Sequence, residues 1–222
     1  MPMFTRISNK ELFWGGLYAL ISAFVLPTLL DHFSLPASHI NSILFVSNFL
    51  FMSLALWGFL RKNLIIAAKK WALTLLWLVL GLSLYFLSTV VLQYLVNTLF
   101  PSFSNLNDGQ VNAQLDAAPI LATVSVAFFA PVAEELLYRG LLFRGLYSQS
   151  RVAAWCVSAG LFSASHVLGY LGLYGLTHAL IALCLYLPAG ICLNLAYRKS
   201  GNIITPILMH MTINIIGLFT LT

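Results

Sequence analysis

The chain has 222 residues, 60% of them hydrophobic and only 8% charged, with a formal net charge of +5. Soluble domains carry roughly a quarter of their residues as Asp, Glu, Lys or Arg, and six acids and eleven bases cannot cover the surface of a water-soluble fold of this length. A bilayer must therefore be the main solvent. Anchoring to anionic lipid headgroups accounts for the positive charge, and no polar surface interleaves basic with aromatic residues, so no nucleic-acid partner is expected.

In chain order, a basic start containing Arg6 and Lys10 leads into an apolar stretch that superficially resembles a secretory signal. The stretch is too long for such a signal, runs into Pro27 and Asp31, and offers no convincing cleavage site, so it reads as a membrane helix. A span needs about 20 mainly apolar residues. Seven spans are expected, near 11–30, 40–60, 71–96, 120–133 and onward, 152–168, 173–197 and 203–221. The expected fold class is an all-α polytopic helix bundle. Its expected parts are a three-span region over 1–96 without an assignable motif, an extracytoplasmic loop over 97–119, and a catalytic membrane domain over 120–222.

Every Lys and Arg falls into one of four clusters: Arg6 with Lys10; Arg61, Lys62, Lys69 and Lys70; Arg139, Arg144 and Arg151; and Arg198 with Lys199. With seven spans these clusters share one side, and the connections on the other side hold Asp31, His32, His39, Asp108 and Asp116 but no Lys or Arg. The positive-inside rule then places the N-terminus in the cytoplasm. The expectation is a multi-pass protein of a bacterial cytoplasmic membrane. Cys156, Cys184 and Cys192 lie inside apolar runs, odd in number and without a CxxC pair, which argues against disulfides and thiolate metal sites.

Of the acids, four fit water-facing ends or loops and only Glu134 and Glu135 sit inside an expected span, and ionisable groups in lipid are functional candidates by default. On a helix Glu135 and Arg139 share a face four residues apart, whereas Glu134 is turned by about 100° and lacks that partner. Glu135 thus reads as structural and Glu134 as a free base. The plain alternative is a span ending at the interface, with Arg139 snorkelling to water.

Two further pairs bear on that choice. Phe162 and His166 lie four apart in one span, His210 and Asn214 four apart in the last. A lone His in an apolar helix is usually an interhelical hydrogen-bonding group, and His178 reads that way. Three polar constellations on the last four spans would each be costly facing lipid. They can converge if the fourth helix continues to about Ser148. Glu134 and His166 then lie roughly 20 Å from one cytoplasmic turn, and His210 lies at roughly 17 Å.

Glu134-Glu135-x-x-x-Arg139, Phe162-x-x-x-His166 and His210-x-x-x-Asn214, in this order, resemble the signature of the CPBP family of intramembrane proteases. That family includes the eukaryotic Ras-converting CAAX endoprotease and bacterial proteins linked to bacteriocin processing or self-immunity. The resemblance covers residues 120–214. It implies endopeptidase activity, with Glu134 as the catalytic glutamate, His166, His210 and Asn214 as its catalytic partners, and Glu135, Arg139 and Phe162 in support. It also implies a peptide or membrane-protein substrate, such as a bacteriocin, a pheromone precursor or a membrane-protein tail. Oligomeric state is not legible in the sequence.

These residue types suit that chemistry. A carboxylate shielded from bulk water can act as general base toward water, His166 can hold that water, and His210 with Asn214 can donate to the oxyanion. No cofactor is assigned. Two histidines and a carboxylate also make an acceptable zinc set with water in the fourth position, so a divalent metal such as zinc stays open. The helical His-Glu-x-x-His pattern is absent, however, and Asn is a poor zinc ligand, which favours a metal-free mechanism. The alternative functions are a non-catalytic immunity or regulatory protein, and a proton-coupled transporter, for which no internal repeat is visible.

Overall fold

A computed structural model of the chain describes residues 4–33, 37–168 and 175–221. Among these residues the fold is all-α, with no strand. Nine helices follow in order: α1 Asn9–His32, α2 Ala37–Ala55, α3 Trp57–Lys69, α4 Trp71–Leu99, α5 Leu106–Ala117, α6 Pro119–Tyr147, α7 Arg151–Ser165, α8 Leu176–Ser200 and α9 Ile204–Leu221.

Four of these, α1, α4, α6 and α8, are long and apolar enough to cross a membrane, and a fifth span results if α2 and α3 count as one broken helix. The chain is thus a multi-pass membrane protein by helix length and composition. The remaining expected spans take other forms. The second bends by 81° between α2 and α3, and α7 and α9 are shorter, with 15 and 18 residues. The expected start of the sixth span at Leu173 lies outside the described residues; α8 begins at Leu176. The polar connection after α4 contains a helix of its own, α5.

The bend before α3 has a local cause. Leu56 leaves the helical region at φ −108°, ψ 23° and offers no side-chain cap to α3. The carboxylate of Glu11 takes that role: its Oε1 accepts the Phe59 N–H at 2.6 Å while its Oε2 accepts the Ser8 N–H at 2.9 Å. One acid thus satisfies orphan donors at the start of two helices, α1 and α3.

Helix α6 is the axis of the bundle, touching α1, α2, α7, α8 and α9. In its most apolar window 44% of residues are buried, against 6% in the windows of α1 and α4. The outer helices turn Leu, Val and aromatic side chains outward, as lipid-facing helices do. The interior is instead rich in polar groups: Asn63, Glu135, Arg139, Ser158, Ser163, Asn194, Asn202 and His210 are all buried. Lipid is as apolar as leucine, so such a bundle is held by close packing and interhelical hydrogen bonds.

The turn between α8 and α9 illustrates this. Gly201 ends α8 at φ 72°, a left-handed conformation that costs glycine nothing. Asn202 then caps α9 by accepting the Thr205 N–H at 3.0 Å and donates to Thr74 of α4 at 3.1 Å. Asn63 of α3 accepts the Ile203 N–H at 2.9 Å. Ahead of α1, Phe4 stacks on Tyr197 at 4.8 Å, and Arg144 Nε donates to the Thr5 carbonyl at 2.7 Å. The N-terminal segment is thereby fastened to the ends of α6 and α8.

Candidate active site

Helix α6 is continuous from Pro119 to Tyr147 but not uniform. The turn bearing Glu134 and Glu135 is α-helical, and π-helical segments flank it at Ser125–Phe129 and Leu136–Phe143. Such insertions are frequent at functional sites. The first has a traceable consequence. Ala130 N–H bonds to Ser125 O, five residues back, and Pro131 has no N–H to give to Val126 O. The Val126 carbonyl therefore has no partner within the helix. Asn214 of α9 supplies one, its Nδ2 donating to Val126 O at 2.8 Å.

The second glutamate anchors a buried charge cluster. Glu135 Oε1 accepts from Arg139 Nη1 at 2.8 Å and lies 2.9 Å from His210 Nδ1. Since a carboxylate oxygen only accepts, the imidazole donates from Nδ1 and its Nε2 is the free end. Arg139 is fully buried and uses its remaining fork on α8: Nε donates to Asn194 Oδ1 and Nη2 to the Gly190 carbonyl, each at 3.1 Å. The Ser158 hydroxyl of α7 lies 2.9 Å from both Asn194 Oδ1 and the Tyr138 carbonyl and can donate to either. The guanidinium also lies over the Phe162 ring, 4.6 Å from its centroid.

Phe162 joins the two histidines. Its ring lies 4.8 Å from that of His166 and 5.5 Å from that of His210, with Tyr138 edge-on at 5.5 Å. His166 caps the end of α7, and its Nδ1 is 2.8 Å from the Phe162 carbonyl. The carbonyl can only accept, so Nδ1 carries the proton and Nε2 is left with a lone pair. Tyr186 of α8 also stacks on this imidazole. A small crevice borders His166 on the α5 side, lined by Asn105, Asn107 and His178 among others.

Glu134 stands apart from the charge cluster. Among the described residues it has no ion pair, and its Oε2 is buried without a hydrogen-bond partner. The Oε2 of Glu135 is likewise unpartnered, but its Oε1 already serves two donors. The structure therefore gathers Glu135, Arg139, Phe162, His166 and His210 into one contiguous group. It seats Asn214 one turn beyond His210, and it places Glu134 next in the chain to that group with its carboxylate uncommitted. His210 meets Glu135 rather than Glu134. Among the described residues, no three His, Cys, Asp or Glu side chains come together as a metal-ligand set.

The α8 face of the site was missed by sequence reasoning. Tyr186, Gly190 and Asn194 recur at every fourth residue and so form one stripe. Gly190 permits the contact with α7, since a Cβ there would sit 3.0 Å from Ala159 Cα. The available signal was Asn194, the one amide between Leu176 and Tyr197 in an otherwise apolar span.

Comparison with known families bears on this half of the chain. Residues 116–216 match the family model described as type II CAAX prenyl endopeptidase Rce1-like, consistent with a CPBP-family intramembrane protease. No curated protein and no solved structure shows a significant match.

Proposed function

With residues 116–216 an Rce1-like CAAX-endopeptidase domain, we propose that the protein hydrolyses a peptide bond within the membrane by water activated at Glu134. The observation that supports this most directly is the division of labour between adjacent carboxylates. Glu135 is committed to Arg139 and His210, whereas among the described residues Glu134 forms no ion pair and its Oε2 is buried without a hydrogen-bond partner. A carboxylate oxygen that no donor occupies keeps a lone pair open to take a proton from water.

In this reading water is held between Glu134 and the Nε2 lone pair of His166. Glu134 removes one proton as the water oxygen attacks the peptide carbonyl carbon. The oxyanion so formed needs donors in place beforehand. Asn214 Nδ2 spends one hydrogen on Val126 and keeps the other for the oxyanion. His210, held at Nδ1 by the Glu135 carboxylate, donates from Nε2 when that nitrogen also carries a proton. On collapse the C–N bond breaks, and the proton held by Glu134 passes to the leaving amine. No metal takes part in these steps.

The substrate class proposed is a small or membrane-associated peptide or protein. The test is incubation of the purified protein in lipid vesicles with candidate peptides, with and without a chelator, followed by mass spectrometry. Chelator-insensitive cleavage supports the reading. Cleavage abolished by the chelator and restored by a divalent ion replaces the metal-free mechanism, and no cleavage of any candidate favours a binding or immunity role.

A further inference from the structure

His166 is held by residues of two helices, and only one of them belongs to the signature motifs. From α7 come the Phe162 carbonyl, 2.8 Å from Nδ1, and the Phe162 ring. From α8 the Tyr186 ring stacks on the imidazole with centroids 4.6 Å apart and planes inclined by 24°. Tyr186 is brought there by α8, one turn before the Gly190 contact with Ala159.

The Tyr186 hydroxyl is itself fastened. Asn105 Nδ2 donates to it at 3.0 Å, and Asn105 Oδ1 lies 3.3 Å from it. Asn105 is no passing neighbour. It caps α5 by accepting the Asn107 N–H at 3.2 Å, and its Nδ2 also reaches Asp108 at 3.1 Å. A second ring contact, Phe103 against His178 at 4.4 Å, holds the same segment to α8. His166 ends its helix at φ −83°, ψ −5°, so the helix does not continue past it to brace the ring.

We propose that Tyr186 is a positioning residue for His166, and that Asn105 at the start of α5 sets the angle of the Tyr186 ring. The polar helix between α4 and α6 is thereby part of the site. This rests on the endopeptidase reading for its kinetic consequences but not for its geometry. A flat ring against an imidazole limits its tilt, and an error near 1 Å in a group that must hold water costs turnover rather than binding.

The experiment compares Tyr186→Leu, Tyr186→Phe and Asn105→Ala in lipid nanodiscs, with melting temperatures to identify variants that fail to fold. With ¹³C-histidine labelling, the His166 resonance is expected to move and broaden in Tyr186→Leu. It should shift less, and in the same direction, in Tyr186→Phe and Asn105→Ala. In cleavage assays Tyr186→Leu is expected to lower kcat by about 10- to 100-fold at unchanged KM, with most of the loss rescued by Phe. A His166 resonance unchanged in folded Tyr186→Leu overturns the proposal whether or not the protein cleaves. So does an unchanged kcat in a wild-type background that cleaves. If the wild-type protein cleaves nothing, the endopeptidase reading falls, and the histidine spectra still decide the role of Tyr186.

Discussion

His210 on α9 and Glu135 on α6 meet at 2.9 Å, through the same carboxylate oxygen that holds Arg139 at 2.8 Å. The contact locks the last helix to the central one at the level of the candidate site, because every member is buried and none can exchange its partner for water.

Removing one member of this cluster should cost far more than removing two. Glu135→Leu leaves the Arg139 guanidinium buried without its counter-charge, and a loss of about 3–5 kcal/mol is expected. The double variant Glu135→Leu/Arg139→Leu should recover most of that loss, since an apolar pair of similar volume often replaces a buried ion pair at little cost. Thermal unfolding in detergent or nanodiscs measures both. A double variant no more stable than the single one contradicts this account of the pair.

The close approach of α7 and α8 predicts opposite outcomes at two glycines. Gly190→Ala places a methyl 3.0 Å from Ala159 Cα and carbonyl oxygen, and overpacking of this kind costs about 1–3 kcal/mol. Gly160→Ala meets nothing within 4 Å and should stabilise α7 by about 0.5–1 kcal/mol. Melting temperatures of the two single variants, displaced in opposite directions, check the pair.

Asn214 satisfies a carbonyl that the π-helical segment and Pro131 leave open, so its loss has a structural as well as a chemical consequence. Asn214→Leu should destabilise the protein by about 1 kcal/mol, toward the low end of the cost of an unpartnered acceptor because the Val126 carbonyl is half-buried. Pro131→Ala in the same chain restores an N–H within reach of Val126 O and should return part of that stability. Urea or thermal denaturation of the two variants and their combination tests the coupling.

The α5 helix carries a pH signal. Burial pushes the Asp108 carboxyl above its usual range, against the hydrogen bond from Asn105, which lowers it. The unfolded segment therefore releases its proton near pH 3.9, while the folded segment holds its proton to higher pH. Docking of α5 is favoured below that value and weakens as the pH rises through it, until the folded group ionises as well. Asp108→Asn should flatten this dependence. Hydrogen exchange of the α5 amides from pH 4 to 7 reads it directly, and an unchanged pH slope in the variant contradicts the assignment.

Much of the architecture was legible because lipid imposes simple rules. Composition alone excluded a soluble fold, and the apolar periods of α1, α4, α6 and α8 match expected spans closely. The bend at Leu56 was not legible, because it depends on Glu11, 45 residues upstream in the chain, capping a second helix. The spacing of Glu135 and Arg139 gave their ion pair directly. What spacing could not give was the partner of His210: a helical wheel assigns a face, but the choice between two adjacent carboxylates is made by tertiary packing. Gly190 and Asn194 escaped notice for a related reason. Their work is done toward α7 and α6, through one carbonyl and one amide oxygen, and neither leaves a motif along its own helix.

The central claim is that Glu134 supplies the base. The most direct measurement is the single-turnover rate of peptide cleavage by Glu134→Gln in lipid, beside wild-type protein and Glu135→Gln, with folding verified by melting temperature. A loss of about 10²–10⁴-fold in Glu134→Gln at nearly unchanged melting temperature is predicted. In Glu135→Gln, by contrast, the melting temperature should fall. Cleavage at the wild-type rate by folded Glu134→Gln contradicts the account.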